Sequence, residues 1–269
     1  MNKVNSWALV TGGSSGIGLE FSRQLAADHY NVILASRDED KLAVAARQLR
    51  QEYQVEVETI SVDLANAKDV ERLIARICDE NRPVEMLVND AGFAVHDSLL
   101  TEDTSRQMAA FAVMAEAILK LSGAAARTMV ARGEGRIINI ASTSAWLFAG
   151  NYSALKRWVV VYTESLALEL RGTGVAATAV CPSWVKTNFH RSAGVDRPDV
   201  PRWLWVSVET VVKSALSASS RGKYRIVPTF RWKVAVCILK HCEPFARLVS
   251  KKMVTKRLAE LERKRENKT

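Results

Sequence analysis

The sequence predicts an α/β protein: one doubly wound parallel sheet of about seven strands in a single domain, extended at its C-terminal end by a basic helical tail. Three observations predict it. Seven short, β-rich apolar runs recur between Trp7 and Val227, and stretches of helical periodicity separate them. A Gly-Ser turn follows the first run and opens a helical pattern, as a strand-to-helix junction requires. The chain of 269 residues, 48% hydrophobic and 25% charged, is long enough to bury one substantial core.

Strands are expected at Trp7–Thr11, Asn31–Ala35, Val55–Asp63, Glu85–Asn89, Arg136–Ala141, Val175–Cys181 and Arg225–Val227. They are apolar nearly throughout, the pattern of strands covered on both faces. Helices between them include Asp38–Tyr53 and Ser153–Leu170, and right-handed crossovers then wind the sheet in both directions. Asn188–Leu204, with Pro198 and Pro201, reads as a long loop, followed by a helix starting near Ser207. In Pro244–Leu261, Phe245, Leu248, Val249, Met253, Leu258 and Leu261 recur at helical spacing among Lys251, Lys252, Lys256 and Arg257. The chain therefore divides into a body, residues 1–230, and a basic amphipathic tail, residues 231–269.

Charge sharpens that division. Residues 231–269 hold 12 Lys+Arg against 4 Asp+Glu, a net of +8, while the first 230 residues hold 26 against 25, a net of +1. No basic motif in the body supports nucleic-acid binding. Cys78, Cys181, Cys237 and Cys242 show no metal-ligand spacing, which argues against structural zinc or a disulfide framework and favours a reducing, cytoplasmic setting. The first strand begins too early to leave room for a signal peptide. No apolar stretch is expected to reach the ~18 residues of a membrane span.

Three motifs carry chemistry. Thr11-Gly12-Gly13-Ser14-Ser15-Gly16-Ile17-Gly18 lies at the first strand–helix junction. Its glycines allow a tight turn that brings backbone N–H groups to a pyrophosphate at the positive end of a helix. The spacing is not G-x-G-x-x-G, so the usual dinucleotide fingerprint is not matched. About 20 residues further on, where a side chain reads the adenosine ribose, stand Ser36 and Arg37. A hydroxyl and a guanidinium suit a 2′-phosphate, hence NADP(H), while Asp38 next door keeps NAD(H) open. Third, Tyr152 and Lys156 are four residues apart at the head of a helix, on one face. Bringing a phenol from pKa ~10 to neutrality takes roughly 4 kcal/mol. One cation about 4 Å away at an effective dielectric of about 20 supplies that amount.

These motifs in this order, with Asn89-Asp90-Ala91-Gly92 between the last two, resemble the NADP-preferring branch of the short-chain dehydrogenase/reductase family over roughly residues 5–230. The resemblance implies a Rossmann-like catalytic domain. It implies that Gly12, Ser14, Ser15, Gly16, Ile17 and Gly18 line the pyrophosphate and ribose, with Ser36 and Arg37 at the adenosine phosphate. Asp63 and Leu64 would sit beside adenine; Asn89, Ala91 and Gly92 would wall the site after the fourth strand. Ser142 would hydrogen-bond the substrate oxygen, with Ser144 as runner-up, and Tyr152 would transfer the proton. Lys156 would bind the nicotinamide ribose and lower the pKa of Tyr152. Pro182, Val185 and Thr187 would hold the carboxamide. No metal is implied, and family members commonly pair through the helices after the fourth and fifth strands, so a homodimer or homotetramer is expected, with the apolar run Trp158–Val161 at hand.

The sequence departs from the family pattern in four places. Asp90 replaces a second asparagine, Ser183 replaces a glycine after Pro182, and Ser142 lies only ten residues before Tyr152. No asparagine occurs between Asn89 and Asn139, where the family commonly uses one to link the lysine to solvent through a water; Met114 or Ala112 takes its place. Phe93, Trp146, Phe148, Trp184, Phe189, Trp203 and Trp205 lie on the expected substrate side and suit a hydrophobic ketone or aldehyde such as a steroid, fatty-acyl or aryl ketone, or serve to pack the lid. The tail suits an anionic membrane surface or docking on its own body. Besides an NADP(H)-dependent oxidoreductase, two readings stay open: a low-activity or non-catalytic NADP-binding regulator on the same fold, and a membrane-associated lipid or steroid reductase.

Overall fold

The computed structural model describes residues 6–186 and 201–266, with side chains described through residue 259. Strands β1 (Trp7–Thr11), β2 (Asn31–Ser36), β3 (Val57–Ser61), β4 (Val84–Asn89), β5 (Gly135–Ile140), β6 (Val175–Val180) and β7 (Arg225–Ile226) form one parallel sheet in the order β3-β2-β1-β4-β5-β6-β7. Every expected strand is present. β3 is shorter than Val55–Asp63 because Gln54 turns into the left-handed region and Asp63 folds into a turn, accepting the Ala65 N–H on its own carboxylate.

Helices α1 (Gly16–Ala27), α2 (Glu39–Tyr53), α3 (Ala67–Ile77), α4 (Ser105–Arg132), α5 (Asn151–Glu169) and α6 (Val208–Ser220) fill the crossovers. They cover both faces, as the sequence of β1 dictates. Trp7 and Leu9 enter the core built by α3, α4 and α5, while Ala8 and Val10 enter the one built by α1, α2 and α6. Helix starts follow local chemistry: Asp38, Asn66 and Ser207 each accept a backbone N–H in the first turn of α2, α3 and α6. Helix α4 is long and apolar enough to cross a membrane by length and composition, contrary to the sequence expectation. It is a core helix instead, with Met114, Ile118, Leu121, Ala124, Ala125 and Met129 buried. A π-helical turn at Ala112–Glu116 interrupts it.

The tail holds two helices. α7 (Phe230–His241) falls in the expected helical tail but was not placed as a separate helix; α8 (Glu243–Glu266) contains the expected Pro244–Leu261 segment. Ala246 and Ser250 of α8 are buried, so the helix docks on its own body. Among the described residues the sheet changes direction between β1 and β4, and the C-terminal ends of both strands open onto the same edge. Ligands of open α/β sheets bind at such a switch point.

Candidate active site

At the end of β1 the chain turns through Gly12 (φ +72°) into α1. Gly18 closes the loop: a Cβ there would lie 2.4 Å from the Gly12 carbonyl oxygen and 2.9 Å from Asp90 Oδ2. Only a bare backbone allows that approach. Thr11 Oγ1 accepts the N–H groups of Asp90 and Ala91 at 3.1 and 3.2 Å, fixing the β4 turn against the loop. Ser15 precedes α1 without capping it, and Ser15 and Gly16 are exposed. The first-turn N–H groups of a 12-residue helix therefore face an open loop, and this cradle fits a pyrophosphate.

Ser14 and Ser36 hydroxyls are hydrogen-bonded at 2.9 Å, joining this loop to the end of β2, where Arg37 stands exposed. The neighbouring Asp38 is committed elsewhere. Its carboxylate accepts the Lys41 N–H at 3.0 Å and the Lys41 ammonium at 2.6 Å, which holds its pKa below the ordinary range. The group that kept NAD(H) open is thus occupied in capping α2, and the exposed guanidinium fits a 2′-phosphate.

Ser142 follows β5 and Tyr152 opens α5; their hydroxyls are hydrogen-bonded. Ser142 Oγ also accepts the Ser144 N–H at 3.1 Å, which fixes its rotamer. The runner-up, Ser144, has a buried hydroxyl without a protein partner. One turn along α5, Lys156 lies buried, its Nζ 5.7 Å from the centre of the Tyr152 ring and donating to the Ile140 carbonyl at 2.7 Å. The i,i+4 spacing does what was expected of it in space.

The electrostatics differ from expectation. Burial raises the Tyr152 pKa well above its ordinary value, the Ser142 hydrogen bond offsets part of this, and the Asp90 charge adds to it. Lys156 is not what sets the phenol here, because its ammonium is directed at the Ile140 carbonyl. Burial lowers Lys156 to about 8, against the opposing pull of Asp90. Asp90 itself is raised to about 7 by burial, partly offset by Lys156 and by the Gly18 N–H it accepts. The acidic replacement at position 90 is therefore the third ionisable group of the cluster. Sequence alone gave no signal for that coupling beyond the departure itself.

Not every expected residue presents its side chain to the site. Asn89 Nδ2 donates to Asn139 Oδ1 at 2.8 Å and to Ser122 at 3.2 Å, and Asn139 donates on to Thr163. The Asn89 amide thus ties β4 to β5, α4 and α5 within the core, where its partners satisfy it. Leu64 and Val185 are buried in the core, and Val185 bridges to Val206. Asp63, Ala91 and Ile17 are half-buried, Gly92 is exposed and Pro182 buried, while Thr187 and Phe189 lie outside the described residues. Met114, rather than Ala112, meets the site: its Sδ would be 3.1 Å from a Cβ on Gly92. Of the aromatics, Trp146 is buried beneath the guanidiniums of Arg157 and Arg225, Trp184 packs at 6.0 Å on Trp205, and Phe93 is half-buried. Phe148 and Trp203 are exposed, Phe148 with Arg247 over its ring.

The tail contributes a feature that sequence reasoning missed. Ser250 Oγ accepts the Phe148 N–H at 2.8 Å, and Arg257 Nη1 donates to the Ala149 carbonyl at 2.9 Å. Both bonds hold the short loop between Ser142 and Tyr152.

Residues 6–197 match the short chain dehydrogenase family. A putative ketoacyl reductase of Streptomyces coelicolor is 36% identical over 228 residues, covering 81% of this chain and 84% of that protein. The galactitol 2-dehydrogenase (L-tagatose-forming) of Cereibacter sphaeroides is 38% identical over 191 residues, covering 68% and 72%. A solved short-chain dehydrogenase from Sphingobium yanoikuyae, in complex with NADPH, superposes with a TM-score of 0.79 at 28% identity, covering 86% of this chain and 91% of that one. With the cradle at Gly12–Gly18 and the Ser142–Tyr152–Lys156 cluster beside it, this chain belongs to the short-chain dehydrogenase/reductase family and is an oxidoreductase of that family.

Proposed function

We propose that the protein interconverts a hydrophobic ketone or aldehyde and its alcohol with NADP(H), using Tyr152 as proton donor in reduction and acceptor in oxidation. The convergence of Ser142, Tyr152 and Lys156 at the end of β5, beside the glycine loop, carries this reading. Gly12, Ser14, Ser15, Gly16, Ile17 and Gly18 would hold the pyrophosphate, and Ser36 and Arg37 the adenosine 2′-phosphate. When bound, the nicotinamide supplies or accepts hydride.

The residues of this chain do the rest. Ser142 and Tyr152 place two hydroxyls where a carbonyl oxygen develops negative charge, and donors fixed in advance stabilise that charge without reorganising. Burial keeps Tyr152 a neutral phenol, the acid form that reduction needs. The Lys156 ammonium, which donates to the Ile140 carbonyl and lies 5.7 Å from the centre of the Tyr152 ring, would have to turn toward the phenol oxygen to stabilise the phenolate as the proton leaves. With Lys156 near 8 and Asp90 near 7, a replacement proton has ionisable groups close to neutrality on the protein side.

The NADPH-bound relative supports NADP(H), and the commitment of Asp38 to α2 supports it independently. The Trp184–Trp205 pair and half-buried Phe93 favour an apolar substrate, in line with the ketoacyl reductase among the relatives. Exposed Met108, Phe111, Leu119, Val161 and Leu168 on α4 and α5 support assembly as a homodimer or homotetramer.

The test is a panel of carbonyl compounds followed by NADPH and NADH oxidation, alongside Tyr152→Phe. The variant should bind NADPH normally and lose about 10²–10⁴-fold in turnover. Full turnover by Tyr152→Phe on a confirmed substrate would refute the assignment.

A further inference from the structure

Helix α7 packs inward through Trp232, whose Nε1 donates to the Leu204 carbonyl, and through buried Val236. Its opposite side is apolar as well. Phe230, Val234 and Ile238 are 78, 45 and 46% exposed, and their spacing of four lines them up as one outward stripe. Arg231 flanks the stripe on one side, and Lys233 and Lys240 on the other. In α8, Ala246 and Ser250 face the body, while Phe245 and Leu248 are exposed beside Lys251, Lys252 and Lys256. An apolar stripe edged by cations does not lower the free energy of a helix standing in water.

We propose that the outer face of the α7–α8 hairpin docks on an anionic lipid bilayer surface. Charge complementarity selects this occupant. Glu243 is the one acidic residue between Phe230 and Ala259, and Arg247 already pairs with it at 2.6 Å. Eight lysines and arginines therefore face a single carboxylate from Phe230 to Ala259, and Glu260, Glu262 and Glu266 follow only in the last two turns of α8. A bilayer offers both requirements at once: a hydrocarbon boundary for Phe230, Val234 and Ile238, and anionic headgroups at the level of the flanking cations. A second copy fits poorly, because a two-fold contact sets each patch against itself and opposes like charges.

The inner face of α8 holds Phe148 and Ala149, so docking of the outer face places the loop before Tyr152 about one helix diameter, roughly 10 Å, from the lipid surface. A substrate leaving the bilayer would then have a short path to the site. That last step rests on the reductase reading; the docking itself does not.

The experiment is co-sedimentation of the full chain with vesicles of phosphatidylcholine alone and of phosphatidylcholine with phosphatidylglycerol in equal parts. Two variants accompany it, Lys251→Glu/Lys252→Glu/Lys256→Glu and Phe230→Ser/Val234→Ser/Ile238→Ser, each checked for an unchanged far-ultraviolet spectrum. All six side chains are exposed, so the fold is expected to survive. The wild-type chain should bind the anionic vesicles and release them in high salt. Charge reversal should weaken binding by at least about a hundredfold, and loss of the apolar stripe by at least about tenfold. No binding to anionic vesicles, or binding indifferent to charge reversal, would overturn the proposal. So would equal binding to soluble polyglutamate that ignores the apolar variant, which would mark an acidic protein partner, or a shift from dimer to monomer in the apolar variant, which would mark a second copy. No turnover is measured, so the result is independent of the catalytic assignment.

Discussion

Replacing Asp90 with asparagine should stabilise the protein, and more at pH 8 than at pH 5. Burial raises the Asp90 carboxyl from 3.8 to about 7. Its folded-state value thus lies above its unfolded one, so its contribution to stability is whole below about pH 4 and is lost as pH rises through 7. Each pH unit between those limits costs about 1.4 kcal/mol. From pH 5 to pH 7 the loss is about 2.3 kcal/mol, and it levels off at about 2.6 kcal/mol by pH 8. The amide keeps an acceptor for the Gly18 N–H, and the Asp90 value near 7 is already net of the attraction to Lys156, so that attraction is not subtracted again. A widening of about 2–3 kcal/mol between variant and wild type is expected from pH 5 to pH 8. Urea unfolding followed by circular dichroism at the two pH values measures it. If the gap between the two proteins were the same at both, Asp90 would not be held as a strained acid and the coupling described for this cluster would be wrong.

Three further substitutions probe separate parts of the site. Gly18→Ala pushes a methyl group to 2.4 Å from the Gly12 carbonyl oxygen, so it should cost about 1–3 kcal/mol of stability and at least tenfold in NADPH affinity by fluorescence titration. Arg257→Met removes the bond to the Ala149 carbonyl; kcat for a carbonyl substrate should fall several-fold with NADPH affinity unchanged, and Arg257→Lys should restore part of it. Unchanged kcat in Arg257→Met would separate the tail from the chemistry. Arg37→Ala should reduce the NADPH-over-NADH preference in kcat/KM by about tenfold or more, and an unaltered ratio would remove Arg37 from the 2′-phosphate.

Much of the fold was legible because its signals are local. Strands buried on both faces must be largely apolar, and β1, β2 and the centres of β4, β5 and β6 are, while the edge strand β3 (Val57-Glu58-Thr59-Ile60-Ser61) is mostly polar and was legible from its β-branched residues; the Gly12–Gly18 turn and the Tyr152–Lys156 spacing are likewise written in adjacent residues. What escaped is what tertiary contact creates. Asn89 reads as a wall of the site, yet the sheet register sets it opposite Asn139, and the two amides pair sideways. Within the expected helical tail, α7 was not marked off as its own helix because Phe230, Val234 and Ile238 make its outer side as apolar as its inner one, which erases the amphipathic signal. The docking of α8 runs through Ser250 and Arg257, residues that no periodicity marks as inward. Asp38 shows the converse: its position suggested a ribose ligand, but local geometry commits it to a helix cap.

The π-helical turn at Ala112–Glu116 divides α4 into two mechanically separate parts. Ser105–Phe111 braces the loop after β4, with Arg106 donating to the Ala94 carbonyl and Gln107 to the Ser98 carbonyl. Ala117–Arg132 is built into the core against β4 and β5. A wide turn carries one more residue than an α-turn, so the two parts are rotated out of phase with each other and each is free to suit its own neighbours. A substitution that repacks the core half can therefore be absorbed at the turn before it reaches the loop. No proline or glycine stands in Ala112–Glu116, so the break is set by how the two halves pack and not by a helix-breaking residue.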